Sequence, residues 1–416
     1  MLNFRFLRSR LIVLASASLL TGLSLTACSG RGAEASASKA PIVFGVSISE
    51  TGDFSVNGAN DIRAYTIWAN MVNASGGLLG RQVKMKFVND ASTTAQVVAN
   101  YTSLLSIDHV NFVFGPFSSL LTIPASEVAA RYGYAMVEPS GGSEKIFNRG
   151  LTNVFEAQPQ AGYRDMKAFG DWLLGLPKSE RPKTAAYATE DDPFLKPEVA
   201  FVRAELEQAG IKTVYQNQYP IEIPSYAPIA LAISKSKAEV VILGTAFPDA
   251  AAFTQTFIQQ HYNPKAICYS SGPDQGQDWI KAVGANNTAG GTDPVGWLAT
   301  YPTYGNQAFV QAYTKKYGGT AASMSTDSGE AYSVGQVMAQ AIQAAGSLSN
   351  SAVIAEIHKL TFKTVAGNFG FTKNGLPTGH NALGQWVNNK FQIIYPPAVA
   401  TTKALFPKPT WGKNAS

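Results

Sequence analysis

A chain of 416 residues, 45% apolar and 15% charged, has material for two ordinary domains or one large bilobal unit, and its composition excludes global disorder. Its formal charge of +5 falls to +2 once residues 1–27, with Arg5, Arg8 and Arg10, are set aside. A body so close to neutral gives no electrostatic basis for holding nucleic acid.

The first 28 residues read as an export segment. MLNFRFLRSR is a basic head, LIVLASASLLTGLSL an apolar middle, and LTAC a run of small residues ending in Cys28. The middle has the length of a secretory core and is too short to span a bilayer. LTAC resembles the lipobox of bacterial lipoproteins. That resemblance implies that Cys28 is lipidated and becomes the new N-terminus, holding a soluble fold on a membrane face. The alternative is an ordinary cleavable signal with an incidental cysteine. Residues 28–40 are small and polar and read as a flexible tether. With only Cys268 left besides Cys28, no internal disulfide is expected, and Cys268 reads as a buried, inert thiol.

From Pro41 short apolar runs alternate with amphipathic segments. PIVFGVSI reads as a strand, and GANDIRAYTIWANMVNASGG as a helix with Ile62, Tyr65, Trp68, Met71 and Val72 on one face, stopped by Gly76-Gly77. VKMKFVND, VNFVFG and YAMVEP follow as strands, separated by helices over AQVVANYTSLLS and SEVAARYG. The rhythm restarts with TAAYATE, TVYQNQYP, EVVILGT and AICYSSG as strands among further helices. Helices over NQAFVQAYTKKYG and SGEAYSVGQVMAQAIQAAGS come next, and QWVNNKFQIIYPP reads as a hairpin turning at Asn388-Asn389. Strict alternation predicts an α/β fold of two similar lobes, each with a mostly parallel sheet flanked by helices.

The glycines of NASGGLLGR lie between a helix and the next strand, whereas a phosphate loop follows a strand and opens a helix. PFSS has no base beside it and no Gly-x-Ser-x-Gly elbow, so no serine nucleophile is expected. Glu190, Asp191 and Asp192 read as a solvated loop at a cleft rim, and no Cys/His cluster has metal spacing. No catalytic residue, metal or cofactor is therefore expected. What remains is hydrogen-bonding equipment at the carboxyl ends of neighbouring strands: Ser118 and Ser119 opening a helix, and Ser140, Gly141 and Gly142 after the adjacent strand. Free amides there suit a small anionic or polar head group. Plain turn and cap roles are the alternative.

TGDFSVNG, NASGGLLGRQVKMKFVNDAS, FGPFSS, GYAMVEPSGG, GTAFPDAAAF, SSGPDQG and TVAGNFGFTKNG stand in the order seen in periplasmic leucine/isoleucine/valine-type solute-binding proteins, and the chain resembles that family from about Ile42 to Trp411. The resemblance implies the type I fold, two lobes joined by a three-segment hinge that clamp a ligand between them. It implies an N-terminal lobe from 41–158 plus 290–363 and a C-terminal lobe from 159–289 plus 364–400, with a tail at 401–416. It also implies a role as the binding component of an ABC importer, exported and lipid-anchored, serving a permease in the inner membrane and taking an amino acid, amide or aromatic carboxylate. A sensory module of the same fold is the alternative.

Carried over by position, Ser119 hydrogen-bonds a ligand carboxylate, and Ser140, Gly141 and Gly142 supply backbone contacts, Gly142 standing where the family has a threonine. Phe194 and Phe247 are cleft aromatics, and Asp274 pairs with an α-ammonium group. Asn57 replaces an aromatic of the amino-acid binders, and Ser92 and Ser118 stand where the family's disulfide cysteines would be.

Overall fold

The computed structural model describes residues 40–221 and 223–412, so Cys28 and the export segment lie outside the described residues. The first set of elements is β1 (Ile42–Ile48), α1 (Ser55–Ala74), β2 (Val83–Asn89), α2 (Thr94–Ser106), β3 (Phe112–Phe114), α3 (Ser119–Arg131), β4 (Met136–Glu138), α4 (Glu144–Phe147) and β5 (Val154–Glu156). Its strands form one parallel sheet in the order β2-β1-β3-β4-β5.

The second set is α5 (Lys167–Gly175), β6 (Thr184–Glu190), α6 (Leu195–Gln208), β7 (Lys212–Tyr219), α7 (Ala227–Ser236), β8 (Val240–Gly244), α8 (Phe247–Gln259), β9 (Ala266–Tyr269), α9 (Gln277–Val283) and β10 (Gly291–Val295). The chain then runs through α10 (Asn306–Tyr317), α11 (Thr326–Ala345), α12 (Asn350–Ile357), β11 (Phe362–Thr364), β12 (Gly367–Phe369), β13 (Ala382–Val387) and β14 (Lys390–Tyr395). The second sheet has the order β14-β13-β10-β9-β8-β6-β7, parallel except where β13 meets β10 and β14. That closing pair turns at Asn388 and Asn389, whose φ values of 52° and 58° suit a tight hairpin in residues that tolerate the left-handed region.

Each sheet is buried on both faces, which is why its strands read as continuous apolar runs. In the first, Phe44, Phe112 and Phe114 point toward α1, α10, α11 and α12, while Val113 and Met136 point toward α2 and α3. Phe44 meets Trp68 at 5.1 Å between ring centres in an edge-on pair, so α1 docks through the face expected from its spacing. The glycine at 335 lets α11 lie against that indole: a Cβ there would come within 2.4 Å of Trp68. In the second sheet, Ala185, Tyr187 and Ile242 face α5 and α6, and Ala186, Val241 and Leu243 face α7, α8 and α9. Cys268 is buried there as a free thiol.

Two of the expected boundaries differ from the structure. β10 pairs with β9 through Gly291↔Ile267, so residues 291–295 belong to the second sheet although 290 was expected to begin a return to the first lobe. Phe362 and Phe369 pack into the core of the first sheet, so β11 and β12 stay with it beyond the expected limit of 363. The chain thus passes from one sheet's core to the other's at residues 157–166, 296–305 and 370–381. The helix expected over SEVAARYG is longer, because α3 starts at Ser119 and carries Pro124 within it. Among the described residues no helix is long and apolar enough to cross a membrane.

Candidate functional site

The carboxyl ends of the parallel strands of both sheets face one cleft, with about 820 Å³ of empty space that is partly open to solvent. Such a position is where open α/β sheets place ligands, because loops and helix N-termini converge there. From the first sheet come Phe54 and Asn57 near the start of α1, Phe117 and Ser118 before α3, and Ser140 and Gln158 after β4 and β5. From the second come Glu190 and Asp192 after β6, Phe194 and Glu198 at the start of α6, Thr245 and Phe247 after β8, Ser271 and Asp274 after β9, and Asp293 in β10. The start of α11 adds Thr326, Asp327 and Glu330, and the passages between sheets add Asp165 and Asn381.

Six of the nine residues expected to bind ligand line this cleft: Asn57, Ser118, Ser140, Phe194, Phe247 and Asp274. Ser119, Gly141 and Gly142 do not. Ser119 is fully buried and its Oγ accepts from the Ser143 amide at 2.9 Å. The amides of Ser140 and Gly141 both donate to Oε2 of Glu138, the first at 2.8 Å. Gly142 is pressed against Gly162, whose Cα a Cβ at 142 would approach to 2.5 Å. The expectation that this loop offers its amides to a ligand carboxylate is therefore corrected: a carboxylate of the protein itself already takes two of them.

The same internal pairing recurs at the other helix starts. Asp192 Oδ1 accepts from the amides of Phe194 (2.6 Å) and Leu195 (3.2 Å), and Glu190 Oε2 from the Ala246 amide (3.3 Å). Glu190 and Asp192 were expected to be solvated; instead they are 4% and 5% exposed, because their side chains turn inward onto the Ala246 amide before α8 and the Phe194 and Leu195 amides at α6. Only Asp191 matches that expectation, pairing with Lys196 at the surface.

Asp274 lines the cleft but is not idle. Oδ1 accepts from the Gly272 amide at 2.9 Å, and Oδ2 from Gln275 Nε2 at 2.8 Å and from Thr326 Oγ1, a bond that joins the second sheet's loop to α11. Asn57 Nδ2 donates to Asp327 Oδ2 at 2.9 Å, so it holds a carboxylate at the start of α11. Ser118, with φ 71° and ψ 151°, sits in a region that costs a residue with a side chain on the order of 1–3 kcal/mol, and its Oγ caps α3 by accepting from the Leu121 amide.

The charge of the site is its least expected property. Among the described residues eight carboxylates line the cleft (Asp165, Glu190, Asp192, Glu198, Asp274, Asp293, Asp327 and Glu330), and no lysine, arginine or histidine does. Burial raises them all above the usual carboxylate range, and their mutual repulsion adds to it for most. Glu190 is pushed up to about 8 by burial and by the charges of Asp249 and Asp192, and Asp327 to about 7 by burial and Asp274. Among the described residues no group of His, Cys, Asp or Glu is arranged to hold a metal ion.

A profile of the periplasmic binding protein family matches residues 41–390. The chain belongs to that family. It is 27% identical to Leu/Ile/Val-binding protein homolog 7 of Brucella suis biovar 1 over 97% of its own length and 100% of that protein's. It is equally identical to homolog 8 of the same organism, over 96% and 99%. Among solved structures, the branched-chain amino acid transporter substrate-binding protein LivJ of Streptococcus pneumoniae, in complex with isoleucine, matches with a TM-score of 0.72 at 17% identity, covering 86% of this chain and 100% of that one. A solute-binding protein of an ABC transporter from R. palustris, in complex with benzoate, matches with a TM-score of 0.75 at 16% identity, covering 87% and 98%. The fold is thus the type I periplasmic binding protein fold of the leucine/isoleucine/valine-type proteins.

The residues that sequence reasoning missed are mainly acids. Glu190 ends β6 and Glu198 and Asp327 lie in first helical turns, where carboxylates are common for their own sake, while Glu330 lies a turn further into α11. Their one shared signal is the small or apolar company they keep, as in YATEDDPF and STDSGEAY.

Proposed function

We propose that this protein is the extracytoplasmic solute-binding component of an ABC importer, anchored through lipidated Cys28, and that it works by binding and not by catalysis. The observation that carries the reading is a single cleft walled from both sheets, with Phe194, Phe247 and Asp274 on one side and Asn57, Ser118 and Ser140 on the other. A solute touching both walls favours the closed arrangement and so reports its presence to a permease as a change of shape. The relatives' names support a small amino acid or related compound as cargo. Of the expected zwitterion clamp, the ammonium side retains support from the acidic wall, while the carboxylate side loses the amides that Glu138 takes.

A second reading, a sensory module of the same fold for amides or aromatic carboxylates, draws on the benzoate-bound neighbour. Uptake separates the two. Deleting the gene in its host abolishes accumulation of a labelled solute if the protein serves transport. Unchanged uptake of every solute that raises the melting temperature of the protein sinks the transport reading.

A further inference from the structure

The cleft carries a more specific statement about its cargo, one that rests on the solute-binding reading. We infer that it takes a small organic cation with several N–H donors, such as a primary ammonium or guanidinium compound, and without a carboxylate group. The argument begins with acceptors that have no donor. Glu198 is 1% exposed; its Oε2 accepts from Ser270 Oγ, but its Oε1 has no hydrogen-bond partner. Asp293, also 1% exposed, shares a hydrogen bond with the Asp274 carboxyl, and its Oδ2 has no donor among the described residues. Asn381, 8% exposed, gives its amide nitrogen to Asp165 Oδ1 at 2.8 Å and leaves its own Oδ1 unpaired. All line the cleft, and Glu198 lies close enough to Asp165 and Asp293 for their charges to interact.

A buried acceptor without a donor is expensive, and a run of them in one wall points to N–H groups arriving with the ligand. Neutral donors would satisfy the geometry, but only a cation would also favour the ionised form of carboxyls that burial holds protonated in the empty cleft. A cation answers both, through charge-assisted hydrogen bonds. The phenyl rings of Phe54, Phe117, Phe194 and Phe247 also line the cleft and give apolar surface against which the hydrocarbon chain of a cation is buried.

For an anion the cleft keeps unpartnered neutral hydroxyls, those of Ser140, Thr245 and Ser271, but no positive charge among the described residues. The amides of Ser140 and Gly141 are held by Glu138, those of Phe194 and Leu195 by Asp192 and that of Ala246 by Glu190, and no basic side chain lines the cleft among the described residues. Among the described residues no metal-type cluster lies there, which favours an organic cation over an ion such as calcium.

The test is calorimetric titration and thermal shift of the full chain with agmatine and butane-1,4-diamine as cationic probes, and with leucine, benzoate and urea as comparators. At least one of the cations binds, at least about 100-fold more tightly than leucine or benzoate. Glu198→Gln, which keeps a partner for Ser270, weakens that binding about tenfold or more while the variant's own melting temperature does not fall. Asp293→Asn behaves alike. Tight binding of leucine, benzoate or urea with no binding of either amine overturns the cation and leaves solute capture standing. No response to any probe removes both, and cation binding unaffected by both substitutions removes the assigned acceptors.

Discussion

The hydroxyl of Ser143 donates to the carbonyl of Pro193 at 2.7 Å, joining the loop after β4 of the first sheet to the loop after β6 of the second. Beside it the Ser143 amide donates to Ser119 Oγ, so the first-sheet end of this clasp is anchored in its own lobe. Thr326 and Asp274 make a second bridge deeper in the cleft. A bond that exists only while the two walls are together stabilises the closed arrangement selectively.

Ser143→Ala therefore shifts the protein toward the open arrangement. One neutral hydrogen bond contributes about 1 kcal/mol, which corresponds to roughly a fivefold loss of affinity. The loss should appear mostly as faster ligand release, measurable by stopped-flow fluorescence. An unchanged off-rate would show that the clasp carries none of the closure energy.

The acidic cleft makes the stability of the ligand-free protein depend on pH in a defined direction. Glu190 has its carboxyl raised to about 8 by burial and by Asp249 and Asp192, with Asp53 adding to it and the Ala246 amide opposing. A raised carboxyl holds its proton in the folded state and has lost it in the unfolded state between about pH 4.5 and 8. Stability is greatest below that window and falls as pH rises through it. Urea unfolding at pH 5, 6, 7 and 8 should give a declining midpoint, flattened by Glu190→Gln. A bound cation favours the ionised form, so its affinity rises over the same interval.

Glu138 is fully buried with its Oε2 on the amides of Ser140 and Gly141, and burial raises it to about 8 despite those bonds. Glu138→Ala strands two amides and loosens the loop, at a cost of about 2 kcal/mol or more. Glu138→Gln keeps an acceptor and should stay near wild type. Equal loss in both variants, measured by denaturant unfolding, would show that the charge and not the acceptor holds the loop.

Gly335 allows α11 to rest on Trp68, since a Cβ would meet the indole at 2.4 Å. Gly335→Ala should destabilise the fold by about 1–3 kcal/mol through displacement of that ring, read as a lower melting temperature. Because the contact lies in the first sheet's core and not in the cleft, ligand affinity measured well below the transition should hold.

Much of the fold was legible because it is written in local patterns. The apolar runs that became β1, β3, β6 and β8, the face of α1 carrying Tyr65 and Trp68, and the Asn388-Asn389 turn are set by side-chain period and backbone preference within a few residues. The expected boundary at 290 failed because β10 is assigned by its pairing with β9, a contact that no local pattern encodes. α3 reaches beyond the SEVAARYG run because it starts at Ser119, where Ser118 and Ser119 were expected to open a helix, and carries Pro124 within it from a start capped by Ser118.

Sequence alone determined the alternation of strands and helices, the two sheets that follow from it, and the strand ends that wall the cleft, because these depend on near neighbours. Only the tertiary structure decided which donors and acceptors remain for a ligand. Glu138 turning back onto its own loop, Asp192 and Glu190 folding over helix starts, and Glu198, Asp293 and Asn381 meeting from distant segments are outcomes of packing in three dimensions. A carboxylate's role depends on whether an amide, a water-facing surface or another acid lies opposite it, and that neighbour is brought there by the chain's long-range path.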